Sequence, residues 1–78
     1  MSDNQDGRRF WMGGSPTRCD ACEAALRGVF YDAATRFGAW GILCPTCHVF
    51  GPGLGRTGSG RGQKYERQDD GRWLKTEG

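Results

Sequence analysis

The distribution of hydrophobic and polar positions predicts two β-hairpins. Val29–Asp32 (VFYD) and Arg36–Leu43 (RFGAWGIL) are rich in aromatic and β-branched residues and flank a turn-like DAAT segment, so we expect them to pair as strands. Further along, KYERQ and RWLK surround Asp70-Gly71, a dipeptide typical of hairpin tips. The pattern therefore predicts a second hairpin over Lys64–Lys75.

Outside the hairpins, apolar positions are few. EAALRG, residues 23–28, fits one helical turn ended by Gly28. Phe10 and Trp11 stand out in a polar N-terminal region, and we expect this segment to fold back onto the zinc module. Trp40 is expected to lie in the small core. Residues 1–9 are polar and predict a disordered tail.

Composition explains why such a chain needs a cross-link. Its 78 residues make one small domain, of which 36% are hydrophobic and 14 residues are glycine. A core of this size offsets little more than the conformational entropy lost on folding, so small domains of this kind use disulfides or a metal ion. The four cysteines are the candidates.

The N-terminal sequence bears on the state of those cysteines. It is polar, with no apolar segment typical of a signal peptide, and no run approaches 18 apolar residues. We therefore expect a cytoplasmic protein without membrane contact. Structural disulfides are rare in a reducing cytoplasm, and covalent haem attachment requires export.

Cysteine spacing predicts one structural zinc ion. Cys19 and Cys22 form one C-x-x-C pair, Cys44 and Cys47 form another, and 21 residues separate Cys22 from Cys44. Two such knuckles supply four thiolates to a tetrahedral ion. The motif CPTCH taken alone also resembles a c-type haem site or a redox dithiol, but a haem would leave Cys19 and Cys22 unexplained. Iron–sulfur, disulfide and redox sites remain alternatives.

His48 directly follows the last cysteine. Because four sulfurs saturate the ion, we expect its ring to be partly exposed and to donate to a backbone carbonyl or to a group near the metal. A Cys3His site is the less favoured alternative.

The predicted fold is therefore a small β-rich metal-bound domain, a zinc ribbon of two knuckles and β-hairpins. Its organisation would be a tail at 1–9, a zinc-ribbon core at 10–50, a glycine-rich basic loop at 51–63, and a C-terminal hairpin and tail at 64–78. We expect a monomer.

The loop GPGLGRTGSGRG contains six glycines in twelve residues. One interpretation is a flexible linker. The other is a functional loop, because four basic residues and the single acid Glu66 lie in and just after it, and such strips track phosphates. Trp40 or Tyr65 would then stack on bases. The basic residues are Arg56, Arg61, Lys64 and Arg67.

The net charge limits this second interpretation. One Zn²⁺ and the loss of four thiol protons take the formal charge from +2 to zero. A neutral protein is not a general polyanion binder, so any contact with nucleic acid must come from local clustering.

Catalysis is not expected. A catalytic zinc keeps an open ligand position, whereas four thiolates close it. The chain has one histidine, and the adjacent carboxylates of Asp69 and Asp70 diverge on a strand. We predict a non-enzymatic binding module without a small-molecule substrate.

Phe30–Glu66, FYDAATRFGAWGILCPTCHVFGPGLGRTGSGRGQKYE, resembles a family of small zinc-ribbon proteins of tailed bacteriophages. The shared features are an aromatic-Asp turn, a Gly-x-Trp strand, and Gly-x-Gly-Leu-Gly and Gly-Gln-x-Tyr after the second knuckle. The resemblance implies a phage accessory protein in the host cytoplasm, of a family mostly without assigned activity. The extended N-terminus and the longer RTGSGRG depart from the family pattern.

Two functions follow as hypotheses. In the first, the basic loop acts on nucleic acid or on the transcription machinery. In the second, the module docks on a host or virion protein without binding nucleic acid, as a host-factor inhibitor or a component of the virion.

Overall fold

The computed structural model describes residues 9–78, which form one antiparallel sheet and one short helix. The strands and the helix are β1 (Val29–Ala34), β2 (Trp40–Leu43), α1 (Pro45–Phe50), β3 (Gly62–Arg67) and β4 (Trp73–Glu77). The strand order is β2-β1-β3-β4. The predicted fold class, a small β-rich domain that gathers the cysteines, is confirmed.

The first hairpin is present with shifted boundaries. Tyr31 pairs with Leu43 and Ala34 pairs with Trp40. The DAAT segment, predicted as the turn, mostly continues β1, because the small side chains of Ala33 and Ala34 are buried in the sheet. The chain reverses after them, where the Thr35 N–H donates to the Ala39 carbonyl over 2.9 Å. Gly38 adopts a φ of +94°, which favours glycine.

The predicted second hairpin is confirmed, and it joins the first. Its turn places Gly71 at a φ of +88°, and the Asp70 carboxylate accepts from the Arg72 N–H. β3 also pairs with β1, with Phe30 opposite Tyr65. The two hairpins therefore form a single sheet, with β1 and β3 at its centre.

The core is divided between the two faces of this sheet. On one face, Phe30 stacks on Tyr65 with ring centroids 5.1 Å apart and meets Trp73 edge-on at 4.8 Å. On the other, Ala33 and Leu43 pack with Cys19. Successive side chains of β1 point to opposite faces of the sheet, so Phe30 lies in the aromatic cluster and Ala33 lies on the face of the cysteines.

The N-terminal segment packs along β4. The Trp11 N–H donates to the Trp73 carbonyl over 2.9 Å, and the Lys75 N–H donates to the Arg9 carbonyl over 2.8 Å. The Trp11 ring meets Phe30 edge-on, with centroids 5.3 Å apart. This segment thus covers the aromatic cluster rather than the cysteine face. The disorder predicted for residues 1–9 otherwise lies outside the described residues.

The helix lies elsewhere than predicted. EAALRG is not helical, because the Leu26 N–H donates to the Thr17 carbonyl and Arg18 bridges Ala25, so this segment forms the arms of the first knuckle. α1 instead begins after Cys44, where Pro45 occupies the first turn. Proline suits that position because its missing N–H has no helical partner there.

Candidate metal centre and adjoining surface

The four cysteine sulfurs converge on one point. All four Sγ atoms lie within 4.8 Å of one another, and those of Cys22 and Cys44 are 3.8 Å apart. A tetrahedral site with metal–sulfur bonds of about 2.3 Å places neighbouring sulfurs about 3.8 Å apart. A disulfide would need a sulfur separation of about 2.05 Å, and all four cysteines are free. The cluster could therefore hold one metal ion.

Each knuckle directs a backbone N–H at its first sulfur. The Ala21 N–H points at Cys19 Sγ over 3.4 Å, and the Cys47 N–H points at Cys44 Sγ over 3.5 Å. Such donors stabilise thiolate charge. In the second knuckle the bond from the Cys47 N–H to Cys44 Sγ is also the N-cap of α1. Cys44 therefore both begins the helix and offers a sulfur to the metal site.

The first knuckle closes through an unusual backbone conformation. The Glu23 N–H donates to the Cys19 carbonyl over 2.9 Å, and Glu23 itself adopts a φ of +65°. A non-glycine residue there costs roughly 1–2 kcal/mol. This conformation turns the chain back after the knuckle, where the Ala24 carbonyl accepts from the Cys19 N–H over 2.9 Å.

Asp20 attaches the first knuckle to the sheet. Its N–H donates to the Ile42 carbonyl over 2.7 Å, and its Oδ2 accepts from the Ile42 N–H over 2.8 Å. These bonds hold the first knuckle against Ile42, two residues before the second knuckle begins at Cys44. We did not predict this contact, although a short acceptor between two cysteines is the signal that could have indicated it.

Ionisation of the cluster is uneven. Burial alone raises the pKa of Cys19, but hydrogen bonds from the backbone of Cys22, Cys44 and Ala21 outweigh it and lower the pKa to about 6. Burial and the neighbouring thiols raise the pKa of Cys47 to about 12. Metal binding requires deprotonated thiols, so a bound cation would displace the protons that the cluster holds.

His48 is buried beneath the second knuckle. Its Nε2 lies 3.1 Å from the Arg56 carbonyl, and its ring is only 3% exposed. Burial lowers the pKa of His48, which favours the neutral ring. The predicted bond to a backbone carbonyl is present, but the predicted partial exposure is wrong, because Tyr31 covers the ring.

The glycine-rich loop is folded against this histidine. Gly53 bridges Thr35, and the Gly53 N–H donates to the Cys47 carbonyl over 3.1 Å. A Cβ atom on Gly53 would lie 2.6 Å from the Cα of His48. Close packing therefore accounts for this glycine, and the first half of the loop is part of the domain rather than a free linker.

The four predicted basic residues do not share one surface. Arg56 and Arg61 are exposed on the loop. Lys64 lies 3.6 Å from a carboxylate oxygen of Glu66 and 3.8 Å from one of Glu77. Arg67 lies over the Trp73 ring, 5.8 Å from its centroid, on the aromatic face. Of this set, Arg56 and Arg61 are the two exposed arginines of the loop itself.

The two aromatic residues proposed for stacking differ in exposure. Tyr65 is 8% exposed and stacks on Phe30 in the core, so it has no free face for a base. Trp40 is 48% exposed, which contradicts its predicted burial. It stands at the beginning of an edge strand, with no element packed outside it among residues 9–78.

A shallow cavity of about 560 Å³ lies beside Trp40. Its wall includes Phe37, which is 81% exposed, and Arg36. The sequence prediction placed Phe37 in a strand and gave Arg36 no role. Their position in a turn between two strands is the signal that could have indicated an exposed site.

Comparison with protein-family models, curated protein sequences and solved structures gives no match to this chain. Within residues 9–78, no helix is long and apolar enough to cross a membrane.

Proposed function

We propose that the cysteine cluster binds one structural Zn²⁺ and that the domain is a non-enzymatic binding module. The supporting observation is the closed set of four sulfurs within 4.8 Å, with a backbone N–H on one sulfur of each pair. Thiolate-only tetrahedral sites favour zinc or iron, and zinc needs no redox chemistry or added sulfide. Bound zinc would link the two knuckles and so stabilise the fold. The chain holds the four sulfurs in place, together with the backbone N–H groups that donate to them.

We further propose that the module binds nucleic acid through the basic glycine-rich loop. Between Asp32 and Glu66 the sequence contains no acidic residue, and Arg56 and Arg61 are both exposed there. Local positive potential can attract phosphates even when the whole protein is neutral. Lys64 contributes less than its sequence position suggests, because Glu66 and Glu77 lie beside it.

A salt titration tests this proposal. Binding of the metal-loaded protein to single- and double-stranded DNA and RNA is measured at several salt concentrations. Phosphate contacts by Arg56 and Arg61 should contribute about −1.8 to the slope of log K against log salt on duplex DNA and about −1.4 on single strands. The double change Arg56→Gln and Arg61→Gln should remove that contribution. Arg72→Gln is the matched control, because Arg72 pairs with Asp70 at the turn between β3 and β4.

The second candidate function is protein binding. It is favoured by Val49 and Phe50 on α1, which are 56% and 84% exposed. Exposed apolar patches commonly mark interaction sites. If the protein did not bind nucleic acid at low salt, where phosphate contacts are strongest, protein binding would be the remaining candidate function. The resemblance to phage zinc ribbons supports either function and suggests a host or virion protein as the partner.

A further inference from the structure

Two exposed aromatic residues line one cavity at an end of the sheet. Phe37 and Trp40 are 81% and 48% exposed and border the same shallow cavity. They are held by a tight turn in which the Phe37 N–H donates to the Thr35 hydroxyl over 3.3 Å. Leaving two large rings in water is unfavourable, so a rigid turn that presents both is typical of a contact surface.

One cationic side chain lines this surface, and the backbone of a second arginine lies one strand away. Arg36 lines the cavity, and its guanidinium donates to the Gly51 carbonyl, which holds it beside the rings. The Arg61 carbonyl accepts from the N–H of Ala34, the residue that pairs with Trp40. Asp20 also lines the cavity, where its Oδ2 accepts from the Ile42 N–H and so attaches the first knuckle to β2. The surface therefore combines two apolar rings with the Arg36 guanidinium, and the exposed Arg61 extends from the neighbouring backbone.

The geometry is less suited to a peptide strand. Peptides commonly add to an exposed sheet edge through backbone hydrogen bonds. Here Asp20 occupies both the N–H and the carbonyl of Ile42 on the β2 edge. Residues 9–11 bond to Trp73 and Lys75 on the β4 edge. The chain itself thus blocks strand addition at the middle of both edges.

We propose that this surface binds single-stranded nucleic acid by stacking unpaired bases on Phe37 and Trp40 while Arg36 and Arg61 contact the flanking phosphates. This inference rests on the proposed nucleic-acid function and specifies its substrate. Stacking requires bases whose faces are free, which a continuous duplex does not offer. The site therefore selects single strands over duplex of the same sequence.

Alanine substitutions at Phe37 and Trp40 test the inference in the full-length, metal-loaded protein. The probes are a single-stranded oligonucleotide of mixed sequence and the same sequence as a duplex. Phe37→Ala and Trp40→Ala should each weaken single-strand binding about 5- to 150-fold, the range expected for one base–aromatic stack. Duplex binding and the salt slope should change little. Trp40→Phe keeps a ring and should restore most of the affinity.

Phe50→Ala is the matched control, because Phe50 is 84% exposed but does not line the cavity. It should bind like the wild type. An equal loss in Phe50→Ala, or no loss in either cavity variant, would overturn the stacking site. The salt-dependent binding proposed above could still stand in that case. Failure of every nucleic acid to bind at low salt would instead overturn both proposals and favour a protein partner. Because Phe37 is the more exposed ring, its variant keeps the test valid if Trp40→Ala is unstable.

Discussion

The rings of Tyr31 and His48 lie face to face, with centroids 3.9 Å apart and planes 12° from parallel. Tyr31 belongs to the central strand β1, and His48 belongs to α1, directly after the last cysteine. The same imidazole contacts the Arg56 carbonyl. One side chain thus connects the sheet, the second knuckle and the glycine-rich loop.

Replacing this side chain should destabilise the domain. His48→Ala removes the stacked ring and leaves the Arg56 carbonyl without its partner, which together cost about 2–4 kcal/mol. Chemical denaturation of the metal-saturated protein measures this loss. Val49→Ala, on the exposed side of the same helix, should stay within about 0.5 kcal/mol of the wild type. Equal stability of the two variants would show that the stack does not hold the knuckle in place.

The two faces of the sheet should differ in their sensitivity to truncation. Phe30 is fully buried among Tyr65, Trp73 and Trp11, so Phe30→Ala should cost about 3–5 kcal/mol. Trp40 is half exposed, so Trp40→Ala should cost only about 1 kcal/mol. Urea unfolding of both variants makes the comparison. A larger loss for Trp40→Ala would mean that this ring is buried in solution.

The sequence was sufficient for some of this architecture. The two C-x-x-C pairs are local motifs, and the convergence of the sulfurs was predicted from them. The Asp70-Gly71 dipeptide is also local, and the second hairpin was predicted from it. The pairing of β1 with β3 joins residues about 30 or more positions apart, such as Phe30 and Tyr65, and no local pattern carries that information. The exposure of Trp40 was also not predicted. Trp40 lies on an edge strand, and the aromatic content of a strand does not indicate whether it lies at the centre or at the edge of the sheet.

The lack of a side chain at Gly53 should be required for the packing of the loop against His48. In Gly53→Ala the new methyl group would lie within 3 Å of both the Cα and the carbonyl oxygen of His48, so loop or helix must shift. Overpacking of this kind costs about 1–3 kcal/mol. Gly14→Ala is the matched control, because a Cβ atom there meets nothing within 4 Å. Thermal unfolding of the two variants should separate them, and equal midpoints would contradict the packed arrangement of the loop.

Asp32 should make stability dependent on pH. Burial raises the pKa of its carboxyl above the usual value, so the folded state holds that proton more tightly than the unfolded state. The stabilising contribution is then present below the unfolded pKa and is lost as the pH rises through the folded pKa. Asp32→Asn should therefore be more stable than the wild type at pH 7, and the difference should shrink towards pH 4. Denaturation curves at both pH values measure this, and a difference that grows on acidification would have the wrong sign.

Metal content, followed before and after chelation, tests the central claim most directly. We expect native mass spectrometry to find one zinc ion per chain, and we expect Cys19→Ser and Cys47→Ser to reduce that occupancy. Structural zinc contributes roughly 10–16 kcal/mol of apparent binding energy in comparable small domains, more than this core can lose. A strong chelator should therefore collapse the dispersed amide NMR spectrum, and added Zn²⁺ should restore it. A metal-free chain that retains a dispersed spectrum would contradict the account.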